Sequence, residues 1–246
     1  MKEVKQQFIY GIHPVEEALR TGKTLERIYV TRERRDKAVN DIMHTAVEAG
    51  VPVQQVPAEK LSAITKGTHQ GIVAVVSPVQ FYKLDDVIAL AYEKGETPFL
   101  LMADRITDVR NFGAMTRTCF GAGVHAVIVP YTETSALNAD AVKSSAGALT
   151  RIQMVREKNL VQCIKQLKLH GVKVMATDAK APNMIYDCDL TVPVCIVLGS
   201  EGEGVQTEIL RVCDEMVKLP MPGDIDSYNV SVSAGMLLYE VMRQRG

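Results

Sequence analysis

The chain has 246 residues, 47% of them hydrophobic and 23% charged, with a net charge of −1. That length admits one large or two small domains with a sizeable core, and the near-neutral balance excludes a protein that holds nucleic acid by bulk positive charge, leaving only local patches for such a grip. No apolar run approaches the roughly 20 residues that span a bilayer, and no signal-peptide pattern opens the sequence.

In chain order, HPVEEALRTG reads as a short helix and RIYVT as a strand. RDKAVNDIMHTAVEAG follows as a helix, because Val39, Ile42, Met43 and Ala46 share a face and Gly50 suits its stop. VPVQQV reads as a strand, AEKLSAIT as a helix and GIVAVVSP as a buried strand, which together make a small α/β unit over residues 1–78. Residues 79–97 read as a connector carrying a helix from about Leu84 to Lys94. From Pro98 to the end, PFLLMAD, AVIVP, VKVMATD, CIVLGS and MVKLPM read as strands. NFGAMTRTCFGAG, LNADAVKSSAGAL, NLVQCIKQLKLHG, TEILRVCD and SVSAGMLLYEVMRQR read as helices. Such alternation predicts an α/β domain over residues 98–246, with a mostly parallel sheet covered on both faces.

Five cysteines are scattered at positions 119, 163, 188, 195 and 213. An odd number with no CxxC indicates neither a disulfide framework nor a zinc site, and fits a reducing cytoplasm. No His/Cys/Asp cluster offers a metal site, and none is expected. The first 78 residues carry 11 Lys and Arg against 9 Asp and Glu; the remainder carries 17 against 20. Ordinary solvated surface accounts for so small a split.

Glycine- and polar-rich residues concentrate at three places where a strand gives way to a loop, which is where open α/β sheets bind ligands. The first is ADRITDVRNFGAMTRT, with Asp108, Arg110 and Asn111 at a helix start and Arg117 further along. The second is IVLGSEGEGV, where Glu201 stands among Gly199, Gly202 and Gly204. Its glycine spacing is not that of a dinucleotide-binding loop, so a doubly wound dehydrogenase fits poorly. The third is LPMPGDIDSYNVSVSAGMLLYE, where Ser227 and Asn229 precede a helix of small apolar residues. Singly, these also read as a capped helix bearing a surface arginine, a plain turn, and an N-cap at Asn229 or Ser231.

In combination, order and spacing, the trio resembles the signature motifs of the SpoU/TrmH family of RNA ribose methyltransferases, in the SPOUT superfamily. Asp108, Asn111, Gly113, Arg117 and Thr118 meet its first pattern, Leu198 to Gly204 its second, and Leu219 to Ser231 its third. Val109 stands where proline is usual, and Tyr228 where leucine is common. FIYGIHPVEEAL and THQGIVAVV resemble the N-terminal substrate-binding domain of bacterial enzymes that methylate a guanosine ribose in 23S rRNA, a domain similar to L30e/L7Ae-type ribosomal proteins.

The resemblance implies a C-terminal parallel α/β domain with a deep trefoil knot. It implies S-adenosylmethionine as cofactor, held by Gly199, Leu219 and Tyr228 mainly through backbone, with Thr177, Ser200 and Met221 shaping the pocket. Arg117 would activate the 2′-hydroxyl. A guanidinium is not readily deprotonated, so the alternative is that Arg117 stays cationic and stabilises the developing alkoxide. Asn111 would orient Arg117 or the ribose, and Glu201, Ser227 and Asn229 would complete the site. The active site would form across a homodimer, and the closing helix (Ala234, Gly235, Leu237, Leu238, Val241) suits either a dimer interface or an intrachain core. The N-terminal domain would hold 23S rRNA or a large-subunit precursor through Arg32, Arg34 and Arg35, with His13, Lys66 and His69 as further candidates. No DNA or membrane partner is expected. Transfer-RNA ribose methylation, and an RNA-binding or assembly factor whose site has lapsed, are the rival readings.

Overall fold

The computed structural model describes residues 6–34, 36–135 and 137–246. It divides into two compact units, Met1–Gln80 with Leu137–Ala139, and Phe81–Ala136 with Asp140–Gly246.

The first unit runs β1 (Phe8–Tyr10), α1 (Ile12–Arg20), β2 (Leu25–Thr31), α2 (Lys37–Glu48), β3 (Val53–Val56), α3 (Ala58–Ile64) and β4 (Ile72–Val76). Its sheet has the order β1-β4-β2-β3; β4 pairs antiparallel with β1 and β2, and β2 pairs parallel with β3. The expected face of α2 is the one that packs: Val39, Ile42 and Ala46 are buried, and Met43 lies against the same core with Ile28 and Ile72. The Asp36 carboxylate caps α2 by accepting from Val39 N at 3.1 Å, and Gly50, at φ 69°, turns the chain out of it.

The second unit opens with β5 (Phe81–Tyr82), α4 (Leu84–Glu93), β6 (Phe99–Ala103), α5 (Val109–Gly121), β7 (Ala126–Pro130) and α6 (Ala139–Ser144). A 3-10 turn at Ala148–Thr150, β8 (Gln153–Glu157), α7 (Leu160–Leu169), β9 (Lys173–Thr177) and β10 (Asn183–Met184) follow, then a second 3-10 turn at Ile185–Asp187. The chain ends with β11 (Val194–Leu198), α8 (Thr207–Leu210), β12 (Glu215–Lys218) and α9 (Val230–Arg245). The sheet order is β10-β12-β9-β11-β6-β7-β8-β5, and every pairing is parallel. Every residue of β6 and β11 is buried, as strands covered on both faces require.

From Phe81 onward, the segment expected as a connector is integral to this unit. Phe81 and Tyr82 pair with Met154 and Val155 at the sheet edge, and Leu84, Val87 and Ile88 enter the core. Besides β5, three further strands escaped the sequence reading. β1 and β10 are too short to show a period, and β8 (QMVRE) buries only Met154 and Val155 between polar neighbours. The helix expected over LNADAVKSSAGAL is broken into α6 and the first 3-10 turn.

The chain after β6 steps to β7 and β8 on one side, while β11 leads to β12 on the other. The strand order therefore reverses between β6 and β11. Their carboxyl ends mark the crevice where such sheets bind ligands.

Candidate active site

The loop after β6 begins with Asp104, fully buried, whose carboxylate accepts from Gln206 N and Gln206 Nε2, both at 2.8 Å. Arg105 follows in left-handed backbone, φ 56°. It donates to the Glu203 carboxylate and, at 3.3 Å, to the Gly204 carbonyl. These contacts tie the β6 loop to the β11 loop.

The β11 loop closes on itself: Ser200 N donates to Gly204 O at 3.2 Å, and Gly204 N to Ser200 O at 3.0 Å. A Cβ on Gly199 would lie 2.0 Å from the Gly204 carbonyl carbon and 2.1 Å from Val205 N. The glycine is thus required by the loop's own backbone. Gly202 and Gly204 take φ 93° and 70°, conformations that suit residues without a side chain.

Asp108 caps α5, accepting from Arg110 N at 2.9 Å and Asn111 N at 2.8 Å. Val109 then occupies the first helical position, where proline is favoured but not needed. A Cβ on Gly113 would lie 1.9 Å from Ser144 Oγ, so this motif glycine lets α6 approach α5. At the third junction Asn229 caps α9, its Oδ1 accepting from Ser231 N at 3.0 Å and Ser231 Oγ at 2.6 Å. The capping reading and the site reading therefore both hold. The same Asn229 donates through Nδ2 to Asn111 Oδ1 at 3.0 Å and to Glu201 Oε1 at 2.8 Å. Asn111 Nδ2 donates to that same Glu201 oxygen at 2.8 Å. One residue from each junction thus enters a closed three-member network.

Beside it lies a cavity of about 600 Å³, within the range of small-molecule sites. Thr177, Gly199, Ser200, Glu201, Leu219, Met221, Ser227 and Tyr228 all line it. Thr177 Oγ1 donates to Val197 O at 3.1 Å, and Tyr228 OH to Pro220 O at 3.0 Å, so both side chains are held. Asp178, Lys180 and Asp226 also line the cavity. The sequence reading missed these, although Asp178 and Lys180 directly follow β9, at the same carboxyl edge that marked the other loops.

Arg117 is not part of this constellation. It is exposed on α5, outside the cavity lining, and makes no hydrogen bond or ion pair with a described residue. Six residues from Asn111 place it about 9 Å along the helix and roughly a third of a turn around, so Asn111 does not orient it within the chain.

In the first unit, Arg32 is exposed, whereas Arg34 is held internally, donating to Asp36 and to the Gln70 carbonyl. Arg35 lies outside the described residues. His13 is exposed near Glu16 at 3.8 Å, and His69 accepts from Gly71 N at 3.1 Å within its own turn. Of the candidates for phosphate contact, Arg34 and His69 thus have partners within the chain, while Arg32 and His13 are exposed.

Residues 98–239 match the SpoU rRNA methylase family. The chain belongs to the SpoU rRNA methylase family. Residues 8–82 match the substrate-binding domain of RNA 2′-O ribose methyltransferases. This SpoU chain is similar to the 23S rRNA (guanosine-2′-O-)-methyltransferase RlmB of Yersinia pestis, 38% identical with 98% of each chain covered. It is 35% identical to RlmB of Escherichia coli K12, over 97% of this chain and 99% of that one. In fold it resembles the SpoU methyltransferase AviRb of Streptomyces viridochromogenes, whose crystal structure holds AdoMet, with TM-score 0.61, 23% identity, and 98% and 90% of the two chains covered. The SpoU chain is an RNA 2′-O-ribose methyltransferase.

Proposed function

We propose that this chain methylates the ribose 2′-oxygen of a guanosine in 23S rRNA, with S-adenosylmethionine held in the 600 Å³ cavity. The observation that carries the reading is the Asn111–Glu201–Asn229 network beside that cavity. The residues present fit the cofactor. The backbone of Gly199, Leu219 and Tyr228 offers amide donors and carbonyl acceptors, Met221 an apolar wall, and Thr177 and Ser200 small polar edges. Bound there, the cofactor supplies an electrophilic methyl group on a sulfonium. Glu201 and the two asparagines hold the loop ends in register, and Ser227 faces the cavity as a hydrogen-bonding group.

Arg117 performs its role from a second copy. Its exposure and its lack of a partner among the described residues support a homodimer in which the guanidinium stands at the partner's cavity and stabilises negative charge growing on the 2′-oxygen. The residues of α9 first considered for an interface, Ala234, Leu237, Leu238 and Val241, are buried in the chain's own core. The helix instead exposes Val232, Met236, Tyr239 and Met242, a stripe at helical spacing with 40–65% of each residue accessible. Such a patch suits a second copy. The family's knot belongs to the same reading, supported by a cavity lined both by residues 198–205 and by Val217, Leu219, Met221 and Tyr228 of the later segment. A cytoplasmic setting follows from the rRNA substrate.

Calorimetry with S-adenosylmethionine and its demethylated product is expected to show one site per chain. Absence of binding with rRNA present overturns the reading. Mapping of ribose methylation in rRNA from cells with and without the gene then gives the nucleotide; a lost mark on tRNA would move the substrate there.

Glu201→Ala removes the shared acceptor of the two asparagine amides and is expected to lower kcat about tenfold or more, hydrogen bonds to a charged group being worth about 1.5–3 kcal/mol before solvent screening. Glu201→Gln keeps a carbonyl acceptor and should retain most of the rate. Equal rates for wild type and Glu201→Ala under saturating cofactor would remove the network from the mechanism.

A further inference from the structure

We propose that α5 and the 3-10 turn beside it carry an RNA platform. In it the Arg151 guanidinium, laid on the Phe120 ring, stacks a nucleobase of the substrate strand, and Arg110 contacts a phosphate. This rests on the reading of the chain as an RNA methyltransferase, and places part of the RNA grip on the catalytic unit.

The Arg151 guanidinium lies 4.4 Å from the Phe120 ring centroid. Its side chain is exposed and makes no hydrogen bond or ion pair with a described residue. Arg245 shows what a purely structural stacked arginine looks like. It lies 5.1 Å from the Phe99 ring, but its N–H groups are taken up by the carbonyls of Leu190, Thr97, Pro98 and Val192. Arg151 is exposed, and no described residue takes up its side-chain donors. A guanidinium seated over an aromatic ring is a surface on which unpaired RNA bases stack.

Its position on the helix matches the reaction. Phe120 follows Arg117 by three residues, so the stack adjoins the arginine assigned to the 2′-oxygen. Arg110 precedes Arg117 by seven residues, on the same face about 10 Å away. Ala114 and Gly121 flank Arg117 one turn to either side, and a Cβ on Gly121 would meet nothing within 4 Å. These small residues clear the face for a polynucleotide backbone. No Asp or Glu occurs within α5, although the residues after position 78 are net acidic.

The test uses the full-length protein, in-vitro-transcribed 23S rRNA and S-adenosylmethionine labelled in its methyl group. Arg151→Ala is expected to raise the KM for RNA about fivefold or more, the lower end of base-stacking losses, with kcat, cofactor affinity and thermal unfolding unchanged. Arg151→Lys restores the charge without the plane and should stay near the Ala variant. Phe120→Leu, which removes the ring behind the guanidinium, should reproduce the defect. Arg110→Ala should reduce the salt dependence of RNA binding by about one ion. An unchanged KM in Arg151→Ala, or full rescue by Lys, overturns the stacking proposal. A change of sedimentation mass in Arg151→Ala would assign the stack to contact between copies and overturn it as well. Wild-type protein that binds no RNA would defeat the methyltransferase reading itself, and this proposal with it.

Discussion

Arg117→Ala is expected to lower methyl transfer by at least about a hundredfold, the scale seen when a group that stabilises developing negative charge is removed, while S-adenosylmethionine binds as before. Arg117 stands outside the cavity lining, so its loss leaves the cofactor site intact. It is exposed on α5 and tied to no described partner, so the truncation should also spare the fold. Steady-state rates and calorimetry on one preparation separate the two readouts, and wild-type turnover in the variant would refute the assigned role. Arg117→Lys addresses the chemistry. A group acting by charge alone is partly replaced by an ammonium, whereas a planar guanidinium that clamps the ribose or its phosphate is not. Mixed dimers address the geometry. An Arg117→Ala chain retains a sound cavity, and a cavity-defective chain retains Arg117. If the arginine works across the interface, mixing two inactive variants restores activity; if it works within its own chain, the mixture stays inactive.

Gly199→Ala supplies the cavity-defective partner and should be the most damaging single-methyl change in the site. The added carbon would sit 2.0 Å from the Gly204 carbonyl carbon and 2.1 Å from Val205 N. Both are backbone atoms in a loop already closed by the Ser200–Gly204 pair and by Arg105, so no flexible side chain can yield. Overpacking of this kind costs about 1–3 kcal/mol. Because the strained segment is the cavity wall, cofactor affinity should fall about tenfold or more, while the first unit is untouched. Gly223→Ala is the matched control. It lies in the third loop with no atom within 4 Å of its added carbon, and its φ is not positive. It should stay within about 0.5 kcal/mol of wild type. Chemical denaturation gives the stabilities and calorimetry the affinities. A Gly199→Ala protein that binds cofactor normally would mean that the loop is not the binding wall.

The legible parts of this fold were those with local causes. The α2 face of Val39, Ile42 and Ala46, the stop at Gly50 and the Asp108 cap each follow from residues within a few positions of one another. The strands β6 and β11 announced themselves as unbroken apolar runs. What stayed hidden depends on partners far along the chain. β8 exists because Met154 pairs with Val127 on one side and Phe81 on the other, and its own five residues carry little signal. The same pairing turns the apparent connector into a sheet edge.

The three junctions that pointed to a methyltransferase were marked by residue type and order, and the sequence by itself determined that Asn111, Glu201 and Asn229 are present with the right spacing. That they touch was decided by the tertiary structure, since 90 and 118 positions separate Asn111 from its two partners. The reversal of strand order between β6 and β11 brings three distant loops to one edge, where single hydrogen bonds can span them. Helix geometry likewise decided what the motif could not say about Arg117. The Asp108 cap fixes Asn111 near one end of α5, and Arg117, six residues further along, comes out on an exposed face outside the lining of its own chain's cavity.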